Sequence, residues 1–212
     1  MKTLEIISKV AAKIAPGRLP SFAEAHVVMA LEDIGNAGTV GRLKLSKDLR
    51  LGEGETRTLV RHLQKEGLIE ISRAGISLSA SGRKLLSGLK EVLSEQVEVP
   101  SSPLTVGRFN VAVQIKGVKS SVRYGLEQRD AAITAGAKGA TTLVFTNNRL
   151  AMPGTGEVLE SGSSIVGVLS KLSLKEGDVI VIGSAEDRFK AELGVRAAAL
   201  ELLKTKEGRD FN

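Results

Sequence analysis

Between Leu45 and Ile69 the sequence encodes a short helix, a glycine turn at Gly52-Glu-Gly54 and a second helix, with a hairpin directly behind. A second helix starting near Glu55 places Thr56, Leu59, Val60 and Leu63 at helical spacing on an inward face. Glu55, Arg57, Thr58, Arg61, His62 and Lys65 then point outward. Gly67 supplies the left-handed conformation that closes a helix. Leu68–Arg73 and Gly75–Ser79 alternate as two strands around a very short tip, Ala74-Gly75.

Helix, turn, helix and β-ribbon is the layout of a winged helix-turn-helix, and its second helix normally enters a DNA major groove. The outward face of this helix is mostly basic and sized for such a groove. Arg pairs with guanine O6 and N7, while Thr and His reach base or phosphate acceptors. Arg73, beside the wing tip, can reach a phosphate or the minor groove, or is a solvent-facing turn residue. The expected DNA-binding set is Arg42, Lys44, Lys47, Arg57, Thr58, Arg61, His62, Lys65 and Arg73, with double-stranded DNA as partner. The plain alternative is a solvated helix face. Winged helices also serve as protein-interaction scaffolds without DNA binding, so the fold alone does not decide.

Charge supports the first reading. The net charge is +6 and the cations are locally dense from Arg42 to Lys65. A basic balance favours an acidic partner, nucleic acid first. The absence of Cys excludes a disulfide scaffold, a thiol nucleophile and a zinc finger, and fits a cytoplasmic protein. No apolar run approaches the roughly 20 residues of a membrane span, and the N-terminus lacks the apolar core of a signal peptide. Aromatic residues make up only 3% of the chain, so the core must rest on Leu, Ile, Val and Ala.

The length of 212 residues allows one large or two small domains. Residues 1–98 read as the winged helix-turn-helix with flanking helices. An apolar stripe over Met1–Ala15 ends at Pro16-Gly17. Ser21 and Glu24 form a capping box for a helix running to about Ile34, with His26 inside it as a packing or locally bonded residue. Gly35–Gly38 reads as a turn, and Thr39 as a cap for the next helix. An amphipathic helix from Ser81 to Val97, with Leu85, Leu86, Leu89, Val92 and Leu93, either pairs with its twin in a homodimer or packs on its own domain. Val99-Pro-Ser-Ser-Pro103 is the clearest linker, giving a boundary segment over residues 99–104.

Residues 105–206 read as a small mixed-sheet α/β domain in the order β-α-β-β-α-β-α, making the whole chain α+β. Asn147-Asn148 is expected to turn a two-residue hairpin, since Asn tolerates positive φ. Pro153-Gly-Thr-Gly156 only superficially resembles a phosphate loop, and a plain turn is the expectation. A low-specificity candidate for a small, anionic effector is a pocket formed by Arg123, Tyr124 and Arg129 with Ser184 and Glu186, where Gly183–Asp187 is expected to loop from a strand into a helix. No cofactor and no metal site are expected. Both His residues, His26 and His62, lie in the N-terminal half, and no catalytic constellation or His-Glu metal spacing occurs. The expectation is therefore a non-enzyme.

The segment Leu45–Ser79 resembles the winged helix domains of prokaryotic transcriptional regulators through Leu45-Ser46, Leu49, Leu51-Gly-Glu-Gly54, Thr58-Leu-Val60, Leu63 and Gly67-Leu-Ile69. The whole chain resembles a group of archaeal regulators that join such a domain to a C-terminal domain of unknown function. That likeness is carried here by Arg129-Asp-Ala-Ala-Ile133 and Gly136-Ala-Lys-Gly-Ala-Thr-Thr-Leu-Val144. The resemblance implies that Arg57, Thr58, Arg61 and His62 face DNA. It implies a DNA-binding transcriptional regulator, whose C-terminal domain senses a small molecule or mediates assembly.

Overall fold

In the computed structural model, which describes residues 2–12, 22–160 and 163–209, the chain divides into two units, Met1–Glu91 and Val92–Asn212. The first unit holds α1 (Lys2–Ala11), α2 (Glu24–Ala37), α3 (Arg42–Asp48), α4 (Glu53–Lys65), β1 (Ile69–Ser72), β2 (Gly75–Leu78) and most of α5 (Ala80–Val92). Leu45 and Leu49 at one end of the motif, and Leu59 and Leu63 in α4, are fully buried. These four leucines fix how α3 and α4 meet, because only that packing removes all of them from water.

The hairpin pairs Ile69 with Leu78 and Ser72 with Gly75, leaving Arg73 and Ala74 as the turn. The tip therefore sits one residue earlier than expected. Gly75 opens β2 at φ +134°, where a Cβ would stand 2.8 Å from the Val40 carbonyl oxygen. That close approach exists because Val40 bridges Ile76 as a third rung on the wing. Thr39, expected to cap α3, lies just before this bridge, and Gly41 holds the N-cap position. The expected turn at Gly35–Gly38 is mostly helix: α2 runs on to Ala37, and Gly38 closes it at φ +70°.

The break at Pro16-Gly17 and the Ser21 cap lie outside the described residues. α2 begins at Glu24, and the Ala23 N–H donates to His26 Nδ1 at 3.1 Å. His26 is thus the local cap acceptor, a role it fills only when Nδ1 is unprotonated. Burial lowers its pKa from the ordinary value, outweighing the raising effect of Glu55.

In α5, Leu85, Leu86 and Leu89 are all buried. Leu86 also packs against Gly35 of α2, where a Cβ would come within 2.6 Å of it. Of the two uses open to this helix, packing within its own chain is the one observed.

The second unit holds β3 (Val97–Glu98), β4 (Phe109–Ile115), a short 3-10 turn at Lys119–Ser121, α6 (Leu126–Thr134), β5 (Gly139–Thr146), β6 (Arg149–Ala151), α7 (Ser164–Leu169), β7 (Val179–Ala185) and α8 (Arg188–Arg209). From β4 onward this is the expected β-α-β-β-α-β-α order. The strands lie in the order β3-β4-β7-β5-β6. Every pairing is antiparallel, which corrects the expected mixed sheet.

The domain boundary also moves, from 98/99 back to 91/92. Val97 and Glu98 pair with Ala112 and Val111, and the Val99 N–H donates to the Asn110 carbonyl. Apolar alternation at Val97 and Val99 draws this stretch into the sheet. Pro100–Pro103 then becomes a connection inside the second unit.

One sheet face, with Ala112, Leu143, Ile180 and Ile182, packs against Ile165 and Leu169 of α7. The other face carries α8. Gly183 allows the closest approach, since a Cβ there would stand 2.8 Å from the Ala191 carbonyl. Asn147 and Asn148 turn the β5–β6 hairpin at φ 50° and 61°, as their side chains predicted.

Candidate nucleic-acid interface

Gly52 is the N-cap of α4, so the helix starts at Glu53 rather than near Glu55. Glu55 reaches back to accept the Gly52 N–H at 3.0 Å, and the Thr56 hydroxyl donates to the Gly52 carbonyl at 3.0 Å. The Glu55 contact satisfies a backbone N–H that the helix start leaves open, while the Gly52 carbonyl also accepts the Thr56 N–H at 2.9 Å. Thr56, Leu59, Val60 and Leu63 are buried as expected.

Arg57, Arg61, Gln64 and Lys65 are exposed along one face of α4. Gln64 was absent from the expected set, although Arg57 plus seven and Arg61 plus three both point to it. Thr58 is partly buried, and its hydroxyl donates back to the Gly54 carbonyl at 3.0 Å. That leaves its oxygen only as an acceptor on this face.

His62 is the clear correction. It is 3% exposed, and its Nδ1 lies 2.8 Å from the Val10 carbonyl oxygen. Its ring meets Phe22 edge-on at 5.8 Å between centroids. A carbonyl only accepts, so this geometry selects the tautomer with the proton on Nδ1. The cause is α1, which covers a flank of α4 that helical arithmetic alone leaves open. A Lys9–Glu66 ion pair at 2.8 Å ties the same two elements.

Arg42, Lys44 and Lys47 are exposed on α3, and Arg73 is exposed on the wing turn. Lys44 pairs with Asp48 at 2.6 Å, and that hydrogen bond raises its pKa. Arg42, Lys47, Arg57, Arg61, Lys65 and Arg73 have no acidic partner among the described residues.

The expected effector residues do not converge. Ser184 lies inside β7, 1% exposed, and its carbonyl accepts the Lys138 N–H. The strand runs on to Ala185, so the expected loop is sheet. Asp187 caps α8 by accepting the Lys190 N–H at 3.1 Å. Glu186 is exposed and pairs with Lys138 at 2.9 Å.

Arg123 and Tyr124 are exposed, and Gly154, in the turn after β6, packs directly on the Tyr124 ring. Arg129 pairs with its neighbour Asp130 at 3.3 Å. Gly125 sits against Thr142, whereas Ser184 pairs with Gly139, three residues away on the same strand. Three strand residues span roughly 10 Å.

A small cleft lies elsewhere, lined by Glu98, Val99, Arg108, Phe109, Asn110, Val111 and Arg188. Arg188 there bridges Glu98 at 2.6 Å and Glu192 at 3.0 Å, and the buried Asn110 Oδ1 has no hydrogen-bond partner. Among the described residues no His, Cys, Asp or Glu group could hold a metal ion, and no helix is long and apolar enough to cross a membrane.

Comparison with known proteins places these units among recorded domains. Residues 28–93 match the CggR N-terminal DNA binding domain. Residues 106–202 match a domain of unknown function, DUF4443. Nothing matches among curated proteins. A solved structure of a hypothetical protein from Pyrococcus horikoshii OT3 has a similar fold, with a TM-score of 0.67 and 24% identity, covering 87% of this chain and 100% of that one. The chain thus joins an N-terminal unit similar to that DNA binding domain to a C-terminal unit similar to DUF4443, and it shares its fold with an archaeal protein.

Proposed function

We propose that the protein is a transcriptional regulator that binds duplex DNA as a homodimer, with α4 in the major groove. Arg57, Arg61, Gln64 and Lys65 meet base edges and nearby phosphates, and Arg42, Lys47 and Arg73 neutralise the flanking backbone. One observation carries this reading. Arg57, Arg61 and Lys65 lie exposed along one face of α4, with Arg73 exposed on the wing turn, and none of them pairs with an acid among the described residues. An unmatched basic face on a groove-sized helix is what a polyanion requires.

The second unit assembles the protein or senses a small molecule, without catalysis of its own. The cleft over Asn110 supports a ligand better than the dispersed residues Arg123, Tyr124, Arg129, Ser184 and Glu186. The test is fluorescence anisotropy with duplex from upstream of the gene and with a scrambled duplex, across a salt series. Tighter binding to the native duplex, lost in R57A/R61A, is the expected result. Equal, steeply salt-dependent binding to both duplexes would leave only phosphate contact. No binding to either would favour the protein-interaction scaffold, a reading that the 61% exposed Leu43 of α3 also fits.

A further inference from the structure

α6 presents an outward line of two apolar residues, Leu126 and Ile133, which are 49% and 47% exposed. They stand seven residues apart on a helix of nine, while Gln128 and Ala132 on its other side are buried. Between them, at 3.6 residues per turn, Arg129 lies roughly 50° to one side of the apolar line and Asp130 roughly 50° to the other. Both are exposed, and their ion pair joins sequence neighbours. The line is therefore flanked by opposite charges on opposite sides.

That arrangement selects an occupant. A second copy related by a two-fold axis running along α6 sets Leu126 on Leu126 and Ile133 on Ile133. The same rotation exchanges the flanks, bringing each Arg129 opposite the other chain's Asp130. An antiparallel pair would instead face Arg129 with Arg129, placing like charges together. We propose that α6 is the homodimer contact, packed parallel across a two-fold axis, with the Arg129–Asp130 pair of each chain exchanged for two pairs between chains. This rests on the homodimer reading above and names its surface. A single nine-residue helix is small for an interface, so the dimer is weak and concentration-dependent.

Sedimentation equilibrium of the full chain tests this with charge exchange. Wild type should dimerise reversibly. R129D and D130R should each weaken dimerisation by roughly tenfold or more, since each places like charges opposite one another. Mixed together, the two should form a heterodimer, because one chain then carries acids on both flanks and the other carries cations on both. The double exchange R129D/D130R should self-associate like wild type but not exchange with it, a result independent of whether the single variants fold. L126E should give monomer. A wild type that stays monomeric at all concentrations would overturn both the homodimer and this surface. A dimer indifferent to these changes would overturn the surface alone, as would a double variant that mixes freely with wild type.

Discussion

The ring nitrogen Nδ1 of His62, in the middle of α4, is hydrogen-bonded to the carbonyl oxygen of Val10 in the last turn of α1. Carbonyls in a last turn have no partner within their own helix, so His62 satisfies one of them from another element. His62→Ala should therefore cost about 2–4 kcal/mol, from the lost packing on Phe22 and the buried carbonyl left open. Urea denaturation reads the loss, and DNA affinity measured well below the transition should be nearly unchanged. The reverse pattern, intact stability with lost affinity, would mean that His62 contacts DNA after all.

Acidification should loosen the start of α2. The pKa of His26 is lowered by burial, and its Nδ1 accepts the Ala23 N–H only when unprotonated. A base with a depressed folded pKa binds fewer protons folded than unfolded. Its contribution is full above about pH 6.5 and is lost as pH falls through the lowered folded value. Denaturation of wild type and His26→Ala at several pH values should show a gap between them that narrows below about pH 6.5. A constant gap would remove His26 from the titration.

Phosphate and base contacts should separate by salt. Lys47→Ala and Arg73→Ala should weaken binding to native and scrambled duplex alike, each lowering the slope of log affinity against log salt by about one. Arg61→Ala and Gln64→Ala should narrow the difference between the duplexes. Unchanged slopes for Lys47→Ala and Arg73→Ala would place those residues off the DNA.

Gly183→Ala should destabilise the second unit. Its new methyl would meet the Ala191 carbonyl at 2.8 Å and Val195 at 2.9 Å, both on the helix that covers the sheet. Forcing that contact costs about 1–3 kcal/mol. A thermal or urea transition as stable as wild type would show that α8 shifts freely on the sheet.

Local periodicity made most of this legible. The α4 face, the wing strands and the Asn147-Asn148 hairpin follow from spacing and from backbone preferences of single residues. Contacts between elements far apart in sequence were not legible. Nothing near His62 announces that α1 will cover it. Nor does the Pro- and Ser-rich segment after Val99 reveal that Val97 and Val99 will join a strand beyond it. The stretch Gly183–Asp187 reads as a loop between a strand and a helix, yet Ser184 lies inside β7. Gly183 is needed for helix approach, which only the packed sheet discloses.

The strand order has a consequence for the order of synthesis. β7, built from Val179–Ala185, lies between β4 and β5, although it is the last strand in the chain. The sheet thus has no centre until residue 185 has left the ribosome, and β4 and β5, already made, wait with unpaired edges. Non-local pairing of this kind slows folding, whereas the helical first unit can close early on local contacts. A nascent chain stalled between the two units should therefore already carry a folded helix-turn-helix unit, ahead of its partner domain.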